Sequence, residues 1–223
     1  MIKAVVFDFD GLILDTETCE IESYRQLYAM HGVAFPEEVY LRRIGGRDSF
    51  DPYEDMRSRA AHLHLEHAAL KDIRRGLFEE RFRSEQARAG VVDYLEEAGR
   101  LGLRIGLASS SSQDWVVPLL ARLGLREHFE CIRTFDYVKR AKPDPELYQL
   151  VLAEFGIQPE EAIAFEDSPN GSLAAVRAGM HCVIVPNPTT SGMEFPNGVR
   201  RRLASMADVT LGELIRDIEA EWK

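Results

Sequence analysis

Apolar residues along this chain gather in short unbroken runs: "KAVVFDF" (3–9), "LRIGLAS" (103–109), "CIRTF" (131–135), "AIAFE" (162–166) and "CVIVP" (182–186). Runs that are apolar on both faces, rather than strictly alternating, predict strands of a parallel sheet covered on both sides. Between the later runs the apolar positions take helical spacing, over 91–102, 115–125, 144–156 and 169–180. In 144–156 they fall at 147, 150, 151 and 155, one face of a helix. Pro118 is expected in the first turns of its helix. The segment 169–180 opens with proline and carries Gly179 near its end, the usual punctuation of a helix. This alternation predicts an α/β, doubly wound parallel sheet.

Residues 17–88 break the rhythm. They hold no run that suits a buried strand, and their spacing predicts helices near 17–31, 36–43, 52–66 and 68–86. The block follows directly on the first strand, so the simplest organisation is an inserted all-α unit over 17–88. The α/β core then spans 1–16 and 89–223. The stretch "PNPTTSGMEFPNG" (186–198) reads as a surface loop, and the arginines at 200–202 as a helix face.

The charge balance narrows the partners. With 27 Lys and Arg against 37 Asp and Glu, the net charge is −10. That gives no general attraction to nucleic acid or to an anionic membrane. It leaves room for an anionic small molecule, because a metal ion or a few local cations invert the sign inside a cleft. No apolar stretch is long enough to span a bilayer, and no leader pattern opens the chain. Three widely separated cysteines, Cys19, Cys131 and Cys182, form no CxxC pair. They predict reduced thiols and a cytoplasmic protein.

The chemistry gathers where the predicted strands end. Asp8 and Asp10 lie two apart as the first strand runs into Gly11, so both face the crevice beyond the carboxyl ends of the strands. Two unpaired carboxylates there would repel. A hard divalent cation relieves that repulsion, and Mg²⁺ suits carboxylates shared with a substrate phosphate. The second strand runs into "SSSSQDW" (109–115). There Ser109 and the N–H groups after it, Ser110 included, form an anion cradle at a helix start. Lys142 precedes Pro143 in "AKPDPELY" (141–148), at a helix entrance where its ammonium could meet a phosphate oxygen or an aspartate. The fourth strand ends in Glu166 and Asp167, with Ser168 placed to cap the next helix. Taken singly, these are an acidic turn, a serine cap, a surface lysine and an acidic helix start. Together, on one edge of one sheet, they describe one site.

In this order the four segments resemble the motifs of the haloacid dehalogenase (HAD) superfamily. "DFDGLILDTE" is similar to its first motif, "LASSS" to its second, Lys142 in "KPDPELY" to its third and "FEDSPNG" to its fourth. The helical insertion after the first motif resembles the cap of the branch holding phosphoglycolate phosphatases and β-phosphoglucomutases. The resemblance implies a Rossmann-like core and a nucleophilic Asp8 that becomes an aspartyl-phosphate. Asp10 is implied as acid and base, and Ser109, Ser110 and Lys142 as phosphoryl-holding groups. Asp8, the backbone carbonyl of Asp10, Glu166 and Asp167 are implied around Mg²⁺. Dehalogenases of the superfamily lack the second aspartate and the metal acids that this chain carries.

The expected activity is a Mg²⁺-dependent phosphatase acting on a small phosphorylated metabolite. The alternatives are a β-phosphoglucomutase-like sugar phosphate mutase and a non-catalytic phosphate- or metal-binding regulator. Mutases of the branch typically carry a histidine four residues after the counterpart of Thr16, where this chain has Glu20. Asp15 is expected to be structural, with Thr16 a candidate cap of the first helix. The loop "RRIGGRDSF" (42–50), with Arg43 and Arg47 beside Gly45 and Gly46, is the expected place of substrate contact.

Overall fold

The computed structural model describes residues 1–42, 44 and 50–221. Strand β1 (Ala4–Phe7) comes first, and helices α1 (Thr16–Met30), α2 (Glu37–Leu41), α3 (Pro52–Arg59) and α4 (His67–Phe82) follow it. Then come α5 (Val91–Arg100), β2 (Arg104–Ala108), α6 (Gln113–Arg122), β3 (Cys131–Arg133) and α7 (Glu146–Phe155). The chain continues through β4 (Ala162–Glu166), α8 (Pro169–Arg177), β5 (His181–Ile184), β6 (Val199–Arg202) and α9 (Leu211–Ala220).

The strands form one six-stranded sheet in the order β3-β2-β1-β4-β5-β6, with every neighbouring pair parallel. Alternate side chains of the central strands enter two cores. Val5, Phe7, Ile163 and Phe165 pack on the face covered by Val91, Tyr94 and Leu95 of α5, Val116 and Leu120 of α6, and Leu214 of α9. Ala4, Val6, Ala162 and Ala164 pack on the other, against Tyr148 and Val151 of α7 and Ala174 and Ala175 of α8. Continuous apolar strands are therefore required. Small alanines on the second face leave room for the bulkier helix side chains.

The break in pattern at residues 17–88 is a helical block. Ile21, Tyr24, Leu27 and Tyr28 of α1, with Tyr40, Tyr53, Met56 and Leu70, make a third cluster rich in aromatic rings, and α1 packs along α4. Two segments join this block to the sheet. They touch through a bridge between Leu14 and Ala87. Arg88 clamps the junction by donating to the backbone carbonyls of Gly11, Val185 and Pro186.

Three expectations need correction. The single helix over 52–66 is two pieces: α3 ends at Arg59, and a short 3₁₀ turn leads to His64 in the left-handed region (φ 48°), which helical spacing does not reveal. Helix α6 starts two residues earlier than its apolar pattern, which puts Pro118 inside it, in the second turn. The arginines at 200–202 belong to edge strand β6, where half-buried and exposed positions alternate. Basic residues on an edge strand discourage pairing with another chain, and their charge disguised a strand as a helix face. Among the described residues no helix is long and apolar enough to cross a membrane. The three cysteines are free and buried.

Candidate active site

The end of β1 carries Asp8 into the bottom of a cleft of about 770 Å³. Asp10, Thr16, Glu17, Phe78, Phe82, Trp115 and the serines 109–112 contribute to its walls. Asp8 is almost completely buried. Its Oδ1 accepts from Lys142 Nζ at 2.5 Å, and the same ammonium donates to Glu166 Oε1 at 2.6 Å. Lys142 stands just before α7, next to the cis peptide that joins it to Pro143. Tyr148, on the buried face of α7, donates its hydroxyl to Glu166 Oε1. Two strand ends, those of β1 and β4, thus meet on one buried lysine.

Electrostatics follow from burial. Burial, aided by Glu166 and Asp10 and opposed by Lys142, pushes Asp8 up to about 7. Burial alone would lower Lys142, but Asp8 and Glu166 outweigh it and hold the lysine protonated. Burial, with Glu17, Asp8 and Glu166 nearby, lifts Asp167 well above the usual carboxylate range. The centre carries more carboxylate than its cations neutralise.

A hard cation fits this donor set. Asp8, Glu166 and Asp167 each bring a carboxylate oxygen, and these oxygens lie within 4.8 Å of one another. Glu166 Oε2 and Asp167 Oδ1 are buried without a hydrogen-bond partner among the described residues, and buried oxygens in that state are costly unless a ligand takes them. The space beside Glu166 exists because position 171 is glycine. A Cβ there would lie 2.0 Å from Glu166 Oε2. In most helices Gly→Ala stabilises by roughly 0.5–1 kcal/mol. Here Gly171→Ala is expected to reverse that sign and destabilise by about 1–3 kcal/mol through overpacking. A lowered urea midpoint with an unchanged slope is the expected result.

Asp10 faces the cleft from the other side, and its carboxylate lies outside the acidic cluster. Oδ1 accepts from Thr16 Oγ1 at 2.9 Å and from Trp115 Nε1 at 2.8 Å; Oδ2 accepts from Ser111 Oγ at 2.6 Å. Thr16 therefore serves Asp10, and Asp15 caps α1 by accepting from the Thr18 N–H. Ser109 is buried, and its Oγ accepts from the Ser111 N–H at 3.0 Å, which shapes the loop of serines entering α6. Ser168 caps α8, accepting from the Gly171 N–H.

The structure adds residues that motif reasoning missed. Asn187, just past β5, has its Oδ1 fixed by the N–H groups of Thr189 and Thr190. Its Nδ2 therefore faces Asp167 Oδ2 and Glu17 Oε2, each at 2.8 Å. Burial pushes Glu17 up to about 8. Asn187 also lies beyond the carboxyl end of a strand, but three residues past β5 in a stretch that reads as surface loop. Glu17 gave no signal, since it falls at the start of a helix. The loop residues Arg43, Gly45, Gly46 and Arg47 lie outside the described residues, as does Trp222.

Residues 5–185 match the model of the haloacid dehalogenase-like hydrolase family. The chain belongs to the haloacid dehalogenase-like hydrolases. Within them it falls in the branch of phosphoglycolate phosphatases and β-phosphoglucomutases. It is 47% identical over 221 residues to YhcW of Bacillus subtilis, covering 99% of this chain and 100% of that one. It is 33% identical to a phosphorylated carbohydrates phosphatase of Thermotoga maritima, covering 80% and 82%. Among solved structures, CbbY from Rhodobacter sphaeroides in complex with phosphate superposes with a TM-score of 0.71 at 31% identity, covering 96% of this chain and 100% of that one. In this haloacid dehalogenase-like hydrolase the four motifs sit at the ends of β1, β2 and β4 and before α7.

Proposed function

We propose that the chain is a Mg²⁺-dependent phosphatase that hydrolyses a small phosphorylated metabolite, a phosphorylated sugar above all, through an aspartyl-phosphate on Asp8. The observation that carries this reading is the shared Lys142 between buried Asp8 and Glu166, with Asp10 across the same cleft. Similarity to a phosphatase of phosphorylated carbohydrates supports the substrate class.

In the first half-reaction an Asp8 carboxylate oxygen attacks phosphorus, and the bond from phosphorus to the leaving oxygen breaks. Asp10 gives its proton to that oxygen. In the second, Asp10 takes a proton from water, the water oxygen attacks the phosphorus of the aspartyl-phosphate, and inorganic phosphate leaves with Asp8 restored. Ser109, the N–H of Ser110 and Lys142 bear on the phosphoryl oxygens, donors placed where charge spreads. Mg²⁺ held by Asp8, the Asp10 carbonyl, Asp167 and Glu166 would neutralise phosphoryl charge. Residues 17–88 act as a cap that closes over the substrate and excludes bulk water, swinging near residues 14–18 and 86–91. Buried free cysteines suit a reducing cytoplasm.

Free phosphate release from a panel of phosphorylated sugars tests this reading. Release is expected with Mg²⁺ and not with EDTA, and excess Mg²⁺ should restore it. A product that keeps its phosphate and needs a bisphosphate activator would instead show a mutase. Glu20 at the mutase-histidine position argues against that outcome. Tight substrate binding without any turnover would show a regulator.

A further inference from the structure

Trp115 belongs to none of the four motifs, yet it touches both the general acid and the helical block. It stands in the first turn of α6, half-buried in the cleft wall. One edge of its indole donates Nε1–H to Asp10 Oδ1 at 2.8 Å. The ring stacks on Phe82, the last residue of α4, with centroids 5.6 Å apart and planes 22° from parallel. Phe78, one turn earlier, lies 6.0 Å away. Arg122, at the other end of α6, lies over the Phe82 ring as well, 4.7 Å from its centroid. Helix α6 thus grips the end of α4 where the chain returns to the sheet.

We propose that Trp115 is a positioning residue for Asp10: its indole N–H fixes Asp10 Oδ1, and the Phe78–Phe82 face of α4 fixes the indole. The inference rests on the phosphatase reading above, in which Asp10 is the acid. An indole N–H only donates, whereas the Thr16 and Ser111 hydroxyls can donate or accept. With Trp115 on Oδ1, that oxygen stays an acceptor. The proton passed to the leaving group then belongs on Oδ2, where the Ser111 hydroxyl can turn to make room for it. Thr16, at the entry to α1, meets the same Oδ1. The aim of Asp10 therefore depends on both segments that join the helical block to the sheet, so withdrawing α4 would free the indole and loosen Asp10.

Two measurements test this, one of them independent of turnover. The chain has two tryptophans, so ¹⁵N-tryptophan labelling gives two indole N–H resonances, and Trp115→Phe assigns one by deleting it. Asp10→Ala and Phe82→Leu are each expected to shift the Trp115 resonance and leave that of Trp222 in place. A Trp115 resonance unmoved by Asp10→Ala overturns the contact, whether or not the enzyme turns over. The second measurement compares kcat/KM for an alkyl phosphate, glucose 6-phosphate, with p-nitrophenyl phosphate, whose leaving group needs little protonation. Trp115→Phe is expected to lower the alkyl value about 10-fold and the aryl value less than about 3-fold. Phe82→Leu should follow the same trend, more weakly. Equal losses on both esters, or none, overturn positioning. If the parent enzyme releases phosphate from neither ester, the sugar-phosphate panel decides the phosphatase reading, and the resonance shift alone decides the role of Trp115.

Discussion

Asp8→Asn is expected to abolish phosphate release, with kcat falling on the order of 10⁴–10⁶-fold, while the folded protein becomes no less stable. The loss of turnover would follow from chemistry: an amide oxygen is a poor nucleophile, and Asp10, the other carboxylate after β1, is held by Thr16, Trp115 and Ser111 outside the acidic cluster. The retained stability follows from burial. Asp8 is pushed from its ordinary value of 3.8 up to about 7, so the folded protein holds this proton over a range where the unfolded chain has lost it. The sign is therefore negative for the wild type without metal: ionising Asp8 removes stability as pH rises from about 4 to about 7. Asparagine has nearly the same shape, carries no charge and leaves Lys142 paired with Glu166. Thermal unfolding with EDTA at pH 7 to 8 should give a midpoint for Asp8→Asn equal to or above that of the wild type. A fully active Asp8→Asn would sink the mechanism. An inactive variant that is also unfolded would show that Asp8 is needed for the fold.

The carboxyl ends of the strands could be read from sequence because two periodicities coincide there. A buried parallel strand must be apolar along its length, so the first acid after it marks the edge of the sheet. Asp8 after "AVVF" and Asp167 after "AIAFE" are found this way. Asn187 could not be found so simply, because the loop after β5 is rich in proline, threonine and glycine and looks like solvent-facing chain. Its side chain is nevertheless buried, fixed by two backbone N–H groups that only the folded loop brings together. Trp115 was hidden for a different reason. Its partners Phe78 and Phe82 are more than thirty positions away in sequence, on a helix expected to belong wholly to the inserted block. In the structure those two phenylalanines join the core beside the sheet, and the aromatic cluster of α1 to α3 is separate from them. Edge strand β6 was missed because charge, not apolarity, dominates its sequence, and an edge strand needs little burial.

Lys142→Met carries the second large effect, and it couples stability to turnover. The lysine is 2% exposed and donates to Asp8 and Glu166 at once. A neutral replacement leaves the buried carboxylates of Asp8 and Glu166 without the cation they share. Removing one member of a buried ion pair costs about 3–5 kcal/mol when the remaining charge has nowhere to go. Here the acids have an outlet, since Asp8 already titrates near 7 and can keep its proton. The cost of Lys142→Met should therefore be small near pH 5 and grow as pH rises toward 8, because the folded variant must hold protons that the unfolded chain releases. Urea unfolding of metal-free wild type and variant across that range should show midpoints that diverge with pH. A constant gap would mean the lysine acts by packing alone. Turnover should fall on the order of 10²–10³-fold, the loss seen when one donor to a developing anion is removed. Lys142→Arg should not restore it, because a planar guanidinium is too broad for the slot between Asp8, Glu166 and the Tyr148 ring. If Lys142→Met unfolded at every pH while Lys142→Arg kept full activity, the lysine would be a structural cation. Loss of turnover at pH 5 in a variant still folded there would place it on the phosphoryl group.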